Sequence, residues 1–288
     1  MADAKPGMMQ TKSGQNTVLQ VGVFLILGLM SLLFLLPMLW MVSTSLKPIE
    51  ETMKMPPSFI PHPPLWRNYL EAVMAIPFFR YAWNTVWVCV LGVIGTTLSS
   101  AMVAYAFSHL RWPGRNLMFG LTLATMMVPG PVLMVPLYGV FRSLGWIGTL
   151  KPLWVPAFFG GAFNIFLMRQ FFMGIPKDLV DAARIDGCSE WQIFWKVVLP
   201  LAKPVLVVVG LFHFIWAWND FMGPLIYLTR QETYTLSLGL QFFQSQHGGT
   251  QWHLLMAAST LVVLPVLVLF VAGQRALIRG ITMTGFKM

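Results

Sequence analysis

The chain has 288 residues, of which 57% are hydrophobic and only 10% are charged, and its formal net charge is +9. Soluble domains carry about 25% charged residues, so this composition excludes a water-soluble globular fold. The basic residues form no cluster interleaved with stacking aromatic side chains, which excludes nucleic-acid binding as the reason for the positive charge.

Long apolar stretches with few or no charges recur along the chain. A helix needs about 20 mainly apolar residues to cross the hydrocarbon core of a bilayer. The pattern predicts six transmembrane helices, at 18–42, 81–108, 116–140, 152–172, 204–228 and 252–274. The alternating polarity of membrane β-strands is absent, so the predicted fold is all-α and polytopic. The tail over 1–17 precedes an apolar stretch too long for a signal peptide, and we expect that stretch to be an uncleaved anchor.

The basic residues also predict an orientation, because Lys and Arg concentrate on the cytoplasmic side of membrane proteins. With the N-terminus inside, twelve of the 19 Lys and Arg residues fall in cytoplasmic segments. The outer segments hold the other seven: Lys47, Lys54, Arg67, Arg80, Arg142, Lys151 and Arg230. Both termini, including a tail over 275–288, are therefore predicted to be cytoplasmic.

The outer segment from Lys47 to Arg80 is rich in proline, which predicts an extended, semi-rigid loop with at most short helices. Two interpretations remain open: a surface for an extracytoplasmic partner, or a plain connection. Only two cysteines are present, Cys89 and Cys188, so we predict neither a disulfide framework nor a metal site.

The third apolar stretch contains the sequence Pro129-Gly130-Pro131. Proline frees backbone carbonyls in a membrane helix, and broken helices of this kind line cavities in transport proteins. Pro129 and Gly130 are therefore candidates for a translocation path. Pro136 is better explained as a kink needed for packing.

A hydrophilic segment over 175–203 interrupts the apolar pattern with two short amphipathic helices. Pro176 is suited to begin the first. One slim face of that helix is formed by residues at helical spacing, namely Leu179, Ala182, Ala183 and Asp186. Gly187 follows at the position where a left-handed helix cap is expected.

The second short helix begins with a predicted capping box, formed by Ser189 and Gln192. Its aromatic and apolar face is expected to lie against the bilayer interface or neighbouring helices, and comprises Trp191, Phe194, Trp195 and Val198. Leu199 and Pro200 end the helix. A slim helix with charged edges suits insertion into a groove on another protein, and the alternative is a generic interfacial loop that only joins two spans.

The fifth apolar stretch carries polar and aromatic residues that are candidates for contact with a translocated solute: Trp216, Trp218, Asn219 and Asp220. They offer hydrogen-bonding groups together with aromatic faces. His213 lies seven residues before Asp220 on the same helix face, and ionisable groups at membrane depth indicate function by default. His213 is equally explained by a hydrogen bond to a neighbouring helix.

Several motifs together carry a family resemblance. Asp181-Ala182-Ala183, then Gly187, then Val197-Val198-Leu199-Pro200 resemble the EAA loop of binding-protein-dependent ABC importers. The chain is most similar to carbohydrate-uptake permeases of the MalG type. That similarity extends to Trp218-Asn219-Asp220 with Pro224 and to the C-terminal stretch from Arg279 to Lys287. Asp181 and Val197 depart from the usual Glu and Ile but keep the charge and the branched apolar character.

The resemblance implies a MetI-like permease fold over 18–288. It also implies that the EAA loop docks on the ATP-hydrolysing subunit, a role carried here to Asp181, Ala182, Ala183, Asp186, Gly187, Leu199 and Pro200. The expected partners are a second homologous permease in a heterodimer, two copies of an ATPase, an extracytoplasmic solute-binding protein and membrane lipid. The ATPase uses ATP and Mg²⁺, and no cofactor or metal is expected on this chain. The resemblance also implies that the chain lies in the inner membrane of a prokaryote.

Three other classes of function are alternatives for this sequence. An enzyme is disfavoured because the chain lacks H-E-x-x-H, G-x-S-x-G and G-x-x-x-x-G-K-[ST] motifs. A secondary transporter would use His213 and Asp220 as an ion relay, but the sequence has no evident internal repeat. A pure membrane anchor or assembly subunit is the third alternative.

Overall fold

The computed structural model describes residues 8–245 and 249–285. Parts of the predicted tails over 1–17 and 275–288 lie outside the described residues, among them Phe286 and Lys287. The chain divides into two compact units. The first unit comprises Met1–Ala72 and Thr250–Thr260, and the second comprises Val73–Gly249 and Leu261–Met288.

Helices dominate the described part of the chain, which confirms the all-α prediction. The α-helices are α1 Met8–Ser45, α2 Ile49–Thr52, α3 Arg67–Ala75, α4 Phe78–Ser108, α5 Arg115–Ala124, α6 Gly130–Ser143, α7 Lys151–Trp154, α8 Ala162–Met173, α9 Lys177–Ile185, α10 Glu190–Ile193, α11 Leu199–Leu201, α12 Lys203–Asn219, α13 Met222–Tyr227, α14 Leu236–Gly239 and α15 Trp252–Gly285. Four 3₁₀ segments cover Thr125–Met127, Val155–Phe159, Gln231–Thr233 and Leu240–Phe243, and a π-helix covers Phe194–Val198. Two short strands are β1 Gln244–Ser245 and β2 Gly249–Thr250.

Three helical segments are by themselves long and apolar enough to cross a membrane: Leu19–Ser45, Phe78–Ser108 and Trp252–Gln274. The number rises to six if each of three bent helix pairs counts as one span. The described helices therefore fit a polytopic membrane protein with three to six spans.

Three of the predicted spans are not continuous helices. The stretch predicted over 152–172 is interrupted at Gly160 and Gly161, which precede α8. The stretch predicted over 116–140 consists of α5 and α6, which are bent by 100° around the turn at Val128 and Pro129. Val128 and Pro129 are both extended, with ψ 115° and 135°. A proline ring disfavours a helical conformation in the residue before it, so Pro129 favours the extended conformation of Val128. The stretch predicted over 204–228 breaks at Asp220, between α12 and α13.

The second unit is organised around α4, which packs against both α8 and α12. Glycines allow this close packing: a Cβ atom at Gly92 would overlap the His213 ring of α12, and a Cβ at Gly95 would overlap the Phe158 ring. The buried core extends from this contact to α9 and the π-helix, so the hydrophilic segment is joined to the spanning helices by apolar packing.

The first unit shows that the proline-rich segment is ordered where it meets the end of α1. The Asn68 side chain donates hydrogen bonds to the carbonyls of Ser45 and Lys47, at 2.8 and 2.9 Å. The Lys47 side chain is 1% exposed, and its ammonium lies 3.9 Å from the centre of the Trp40 ring. Burial lowers the pKa of Lys47. These contacts tie α3 to the residues that follow α1.

Candidate functional site

The turn between α9 and α10 has the geometry that its sequence predicts. Gly187 has φ +79°, a conformation that costs residues with a Cβ about 1–2 kcal/mol. The amide of Cys188 donates to the carbonyl of Ala183 at 3.0 Å, and the amide of Gly187 donates to the carbonyl of Arg184 at 3.1 Å. These two bonds form a Schellman motif, which satisfies carbonyls at the end of α9 and reverses the chain.

The capping box at the start of α10 is also confirmed. The Ser189 hydroxyl accepts a hydrogen bond from the amide of Gln192 at 3.3 Å, and the Gln192 side chain accepts one from the amide of Ser189 at 2.9 Å. Two amides that a helix start would otherwise leave unpaired are thereby satisfied. Hydrogen bonds donated by backbone amides therefore hold both sides of the turn at Gly187.

Apolar packing fixes this helical pair to the rest of the second unit. Val180 and Ala183 of α9 are 2% and 8% exposed, and they join a core that includes Met168 and Phe172 of α8. Of the predicted slim face, Ala183 lies at the buried edge, whereas Leu179, Ala182 and Asp186 are exposed.

The predicted aromatic face of the second helix is divided. Phe194 and Val198 are buried in the core, while Trp191 and Trp195 are 59% and 40% exposed. The π-helix changes the direction of the side chains relative to a regular α-helix, and the sequence pattern does not anticipate it. The residues that follow, Leu199 and Pro200, begin α11; Leu199 packs against the core and Pro200 is exposed.

A polar network connects α9 and α10 with the end of α4. The Arg184 guanidinium donates to Glu190 Oε1 at 2.8 Å and to Asp181 Oδ1 at 2.8 Å. The Tyr105 hydroxyl of α4, a residue that is 5% exposed, donates to Glu190 Oε2 at 2.5 Å. The hydrogen bond from Arg184 lowers the pKa of Glu190, so the carboxylate stays charged near neutral pH. Glu190 therefore links α9 to α4, because it is bonded to Arg184 of α9 and to Tyr105 of α4.

Replacing Glu190 with glutamine is expected to loosen α9. The side chains of Arg184 and Glu190 are 37% and 43% exposed, so we discount their ion pair for solvent screening and expect a loss of about 1 kcal/mol. Amide hydrogen exchange in α9 should then become about fivefold faster. Glu71→Gln, which breaks the exposed pair with Arg67 in α3, is the matched control. Equal exchange in the Glu190 variant and the wild type would contradict the proposed link.

The exposed end of α9 presents an apolar residue that the sequence pattern missed. Ile185, the last residue of α9, is 86% exposed, and Leu179 in the first half of the helix is 47% exposed. The sequence did contain a signal for this residue. Ile185 is a branched aliphatic residue between the charged Arg184 and Asp186, and it lies off the helix face that Val180 and Ala183 share. Exposed apolar groups framed by charges are typical of contact surfaces.

The predicted path residues differ in exposure and in their hydrogen-bond partners. Trp218 is 3% exposed, and its indole nitrogen donates to the carbonyl of Val262 at 3.0 Å. Asp220 accepts a hydrogen bond from the amide of Gly223 at 3.1 Å, which caps α13. Trp216 and Asn219 remain exposed.

The break between α5 and α6 is exposed as well. Pro129 and Gly130 have accessible surfaces. Among the residues that the structure describes, no atom outside the local helix backbone lies within 4 Å of a Cβ built on Gly130. Asn84, a polar residue of α4, has internal hydrogen-bond partners. Asn84 donates to the carbonyls of Glu232 and Tyr234, each at 2.9 Å.

Comparisons with known proteins agree on one family. The profile described as "Binding-protein-dependent transport system inner membrane component" matches residues 95–283. The arabinooligosaccharides transport system permease protein AraQ of Bacillus subtilis is 32% identical over 285 residues, which cover 97% of this chain and all of that protein. The protein of the same name from Halalkalibacterium halodurans is 35% identical over 210 residues, covering 73% of this chain and 75% of the relative.

A solved structure shares the fold. It is the crystal structure of a bacterial ABC transporter involved in the import of the acidic polysaccharide alginate. One of its chains superposes with a TM-score of 0.79 and 24% sequence identity, over 96% of this chain and 99% of that one. At this identity the likeness concerns the fold alone.

Proposed function

The chain belongs to the family of binding-protein-dependent transport system inner membrane components, and on this premise we propose that it moves a sugar, most simply an oligosaccharide, across the cytoplasmic membrane. The family membership makes it the permease component of an ABC importer with a MetI-like fold. Two relatives named as arabinooligosaccharide permeases support the sugar class. The translocation mechanism is alternating access driven by a separate ATPase.

The observation that carries the proposal is that hydrogen bonds and core packing hold the exposed turn after α9 in a fixed position. Its backbone is closed by the Schellman motif, its inner side is packed in the core, and its outer side presents Ile185 and Gly187. Such a projection fits a cleft on the ATPase. The residues that would contact or position the ATPase are Asp181, Ala182, Ala183, Asp186, Gly187, Leu199 and Pro200, to which we add Ile185.

The remaining partners follow from the same assignment. A second, homologous permease completes a heterodimer around the path, a dimer of ATPase subunits binds ATP and Mg²⁺, and an extracytoplasmic solute-binding protein delivers the sugar. The surplus of Lys and Arg in alternate segments supports a cytoplasmic location for α9 and for both termini.

Substrate contacts are proposed for residues that remain accessible. Trp216 is 62% exposed and offers an aromatic face, and Asn219 offers an amide at the end of α12. Pro129 and Gly130 lie at the exposed break between α5 and α6. Trp218 and Asp220 support this region through their bonds to Val262 and Gly223.

Uptake by intact cells tests the function directly. Cells that lack this chain but keep its partner subunits should fail to accumulate the labelled oligosaccharide that the solute-binding protein recognises, and the wild-type chain should restore uptake. ATP depletion should abolish uptake, whereas a protonophore should not while ATP is maintained. Uptake that collapses with the protonophore and persists without ATP would instead support an ion relay through His213 and Asp220.

A further inference from the structure

A basic cavity opens where α4 ends, α5 begins, α8 ends and α9 begins. Its volume is about 560 Å³, and all of its lining residues belong to the second unit. Five cationic side chains line it, namely Arg111, Arg115, Arg169, Lys177 and Arg184. Within the described part of the chain, Asp181 is the one acidic lining residue, and it is already bonded to Arg184 at 2.8 Å.

The described carboxylates do not balance the positive charge of the cavity. Among the residues whose side chains the structure describes, Arg111, Arg115, Arg169 and Lys177 have no carboxylate within 4.0 Å. His109 also lines the cavity, and burial, with a further contribution from Arg184, lowers its pKa, so the ring adds no charge near neutral pH. An anion in the cavity would relieve the repulsion among the four unpaired cations.

Two of these cations are held in place by contacts that leave their charge available. Arg115 donates to the carbonyl of Leu110 at 3.0 Å, and Arg169 donates to the carbonyl of Phe107 at 3.2 Å. The Arg169 guanidinium also lies 4.1 Å from the centre of the Phe119 ring. A guanidinium fixed in this way presents its remaining N–H groups as a planar fork, which matches the oxygens of a phosphate group.

The position of the cavity favours a lipid as the source of that phosphate. It lies at the ends of the apolar helices α4 and α8, where Phe107, Phe172 and Met173 form part of the lining. Trp112, which borders an adjoining pocket with Arg111 and Arg115, is 36% exposed, and tryptophan at a helix end is typical of the headgroup region. Basic pockets between membrane helices bind anionic headgroups.

We propose that this cavity binds the phosphate of an anionic phospholipid headgroup and that the bound lipid bridges α5, α8 and α9. Arg111, Arg115 and Arg169 contact the phosphate from the side of the spanning helices. Lys177 contacts it from the first turn of α9. The acyl chains lie along the apolar surface next to the cavity, which a free phosphate ion would not use.

Lipid binding to the full-length chain in detergent tests the proposal. Native mass spectrometry would measure the affinities for phosphatidylglycerol and for phosphatidylcholine. Arg111→Gln/Lys177→Gln removes two cavity charges whose side chains make no internal hydrogen bond among the described residues. Each basic residue near an anionic lipid contributes roughly fivefold in affinity, so we expect the double variant to bind phosphatidylglycerol on the order of 10- to 30-fold more weakly.

The matched control is Lys196→Gln/Lys203→Gln, which removes the same charge from exposed residues outside the cavity lining. Its affinity for phosphatidylglycerol should stay within about twofold of wild type. Equal phosphatidylglycerol affinity in the cavity variant and the wild type would overturn the proposal. A second outcome would also overturn the proposal. If the wild type binds both lipids equally but binds inorganic phosphate, and the cavity variant loses this phosphate binding, the ligand is a soluble anion.

Discussion

Replacing Gly187 with aspartate is expected to abolish sugar uptake while the chain remains in the membrane at its normal level. Among the described residues, no atom beyond Gly187 and its two chain neighbours lies within 4 Å of a Cβ built on Gly187. Aspartate is among the residues that tolerate a positive φ, so the chain should fold. In the docked state the new carboxylate would be buried without a partner. That penalty is several kcal/mol, enough to weaken docking at least about a hundredfold.

Gly187→Asn is the matched control, because asparagine has almost the same shape, accepts a positive φ equally well and adds no charge. The asparagine variant should retain a substantial part of sugar uptake. In the aspartate variant the ATPase should still hydrolyse ATP, but this hydrolysis should no longer drive uptake. Both variants should be compared by immunodetection in membranes and by uptake in cells. Normal uptake by a well-expressed Gly187→Asp variant would refute the docking role of this turn.

Local features of the site could be predicted from the sequence because short segments encode them. The cap at Gly187 depends on one residue that accepts a positive φ, and the capping box depends on Ser189 and Gln192, three positions apart. The all-α membrane fold was equally accessible, since it rests on composition and on the length of apolar stretches.

Other features depend on contacts that no local pattern contains. Tyr105 and Glu190 are separated by 85 positions, so their hydrogen bond emerges only when α4 and α10 pack together. Trp218 and Asp220 appeared as path residues because of their chemistry. Their internal bonds, to Val262 and Gly223, became visible only in the folded chain.

The helix breaks were partly predictable. Pro129 and Pro131 indicated a broken helix, but the angle of 100° between α5 and α6 cannot be predicted from the hydropathy of the sequence. The basic cavity shows the same limit. In the sequence, Arg111 and Arg115 are simply two of the twelve basic residues in the predicted cytoplasmic segments. Their proximity to Arg169 and Lys177 follows from the packing of α8 and α9 beside α4.

Replacing Ile185 with aspartate is the second change expected to abolish uptake. This side chain is 86% exposed at the end of α9, so its loss leaves the core intact and the free energy of unfolding should change by no more than about 0.5 kcal/mol. Burying an isoleucine on docking contributes about 1.5–3 kcal/mol, and an unpaired carboxylate in its place adds a desolvation cost. Docking of the ATPase should weaken at least about a hundredfold.

A graded series separates apolar contact from mere charge at Ile185. Ile185→Met keeps an apolar side chain of similar volume and should preserve uptake, whereas Ile185→Ala should reduce ATPase affinity about tenfold or more. Substrate-stimulated ATP hydrolysis by the assembled importer in proteoliposomes measures each step. If Ile185→Ala and Ile185→Asp both hydrolyse ATP and transport as the wild type does, the exposed end of α9 lies outside the interface, and docking must rest on the residues around Gly187 alone.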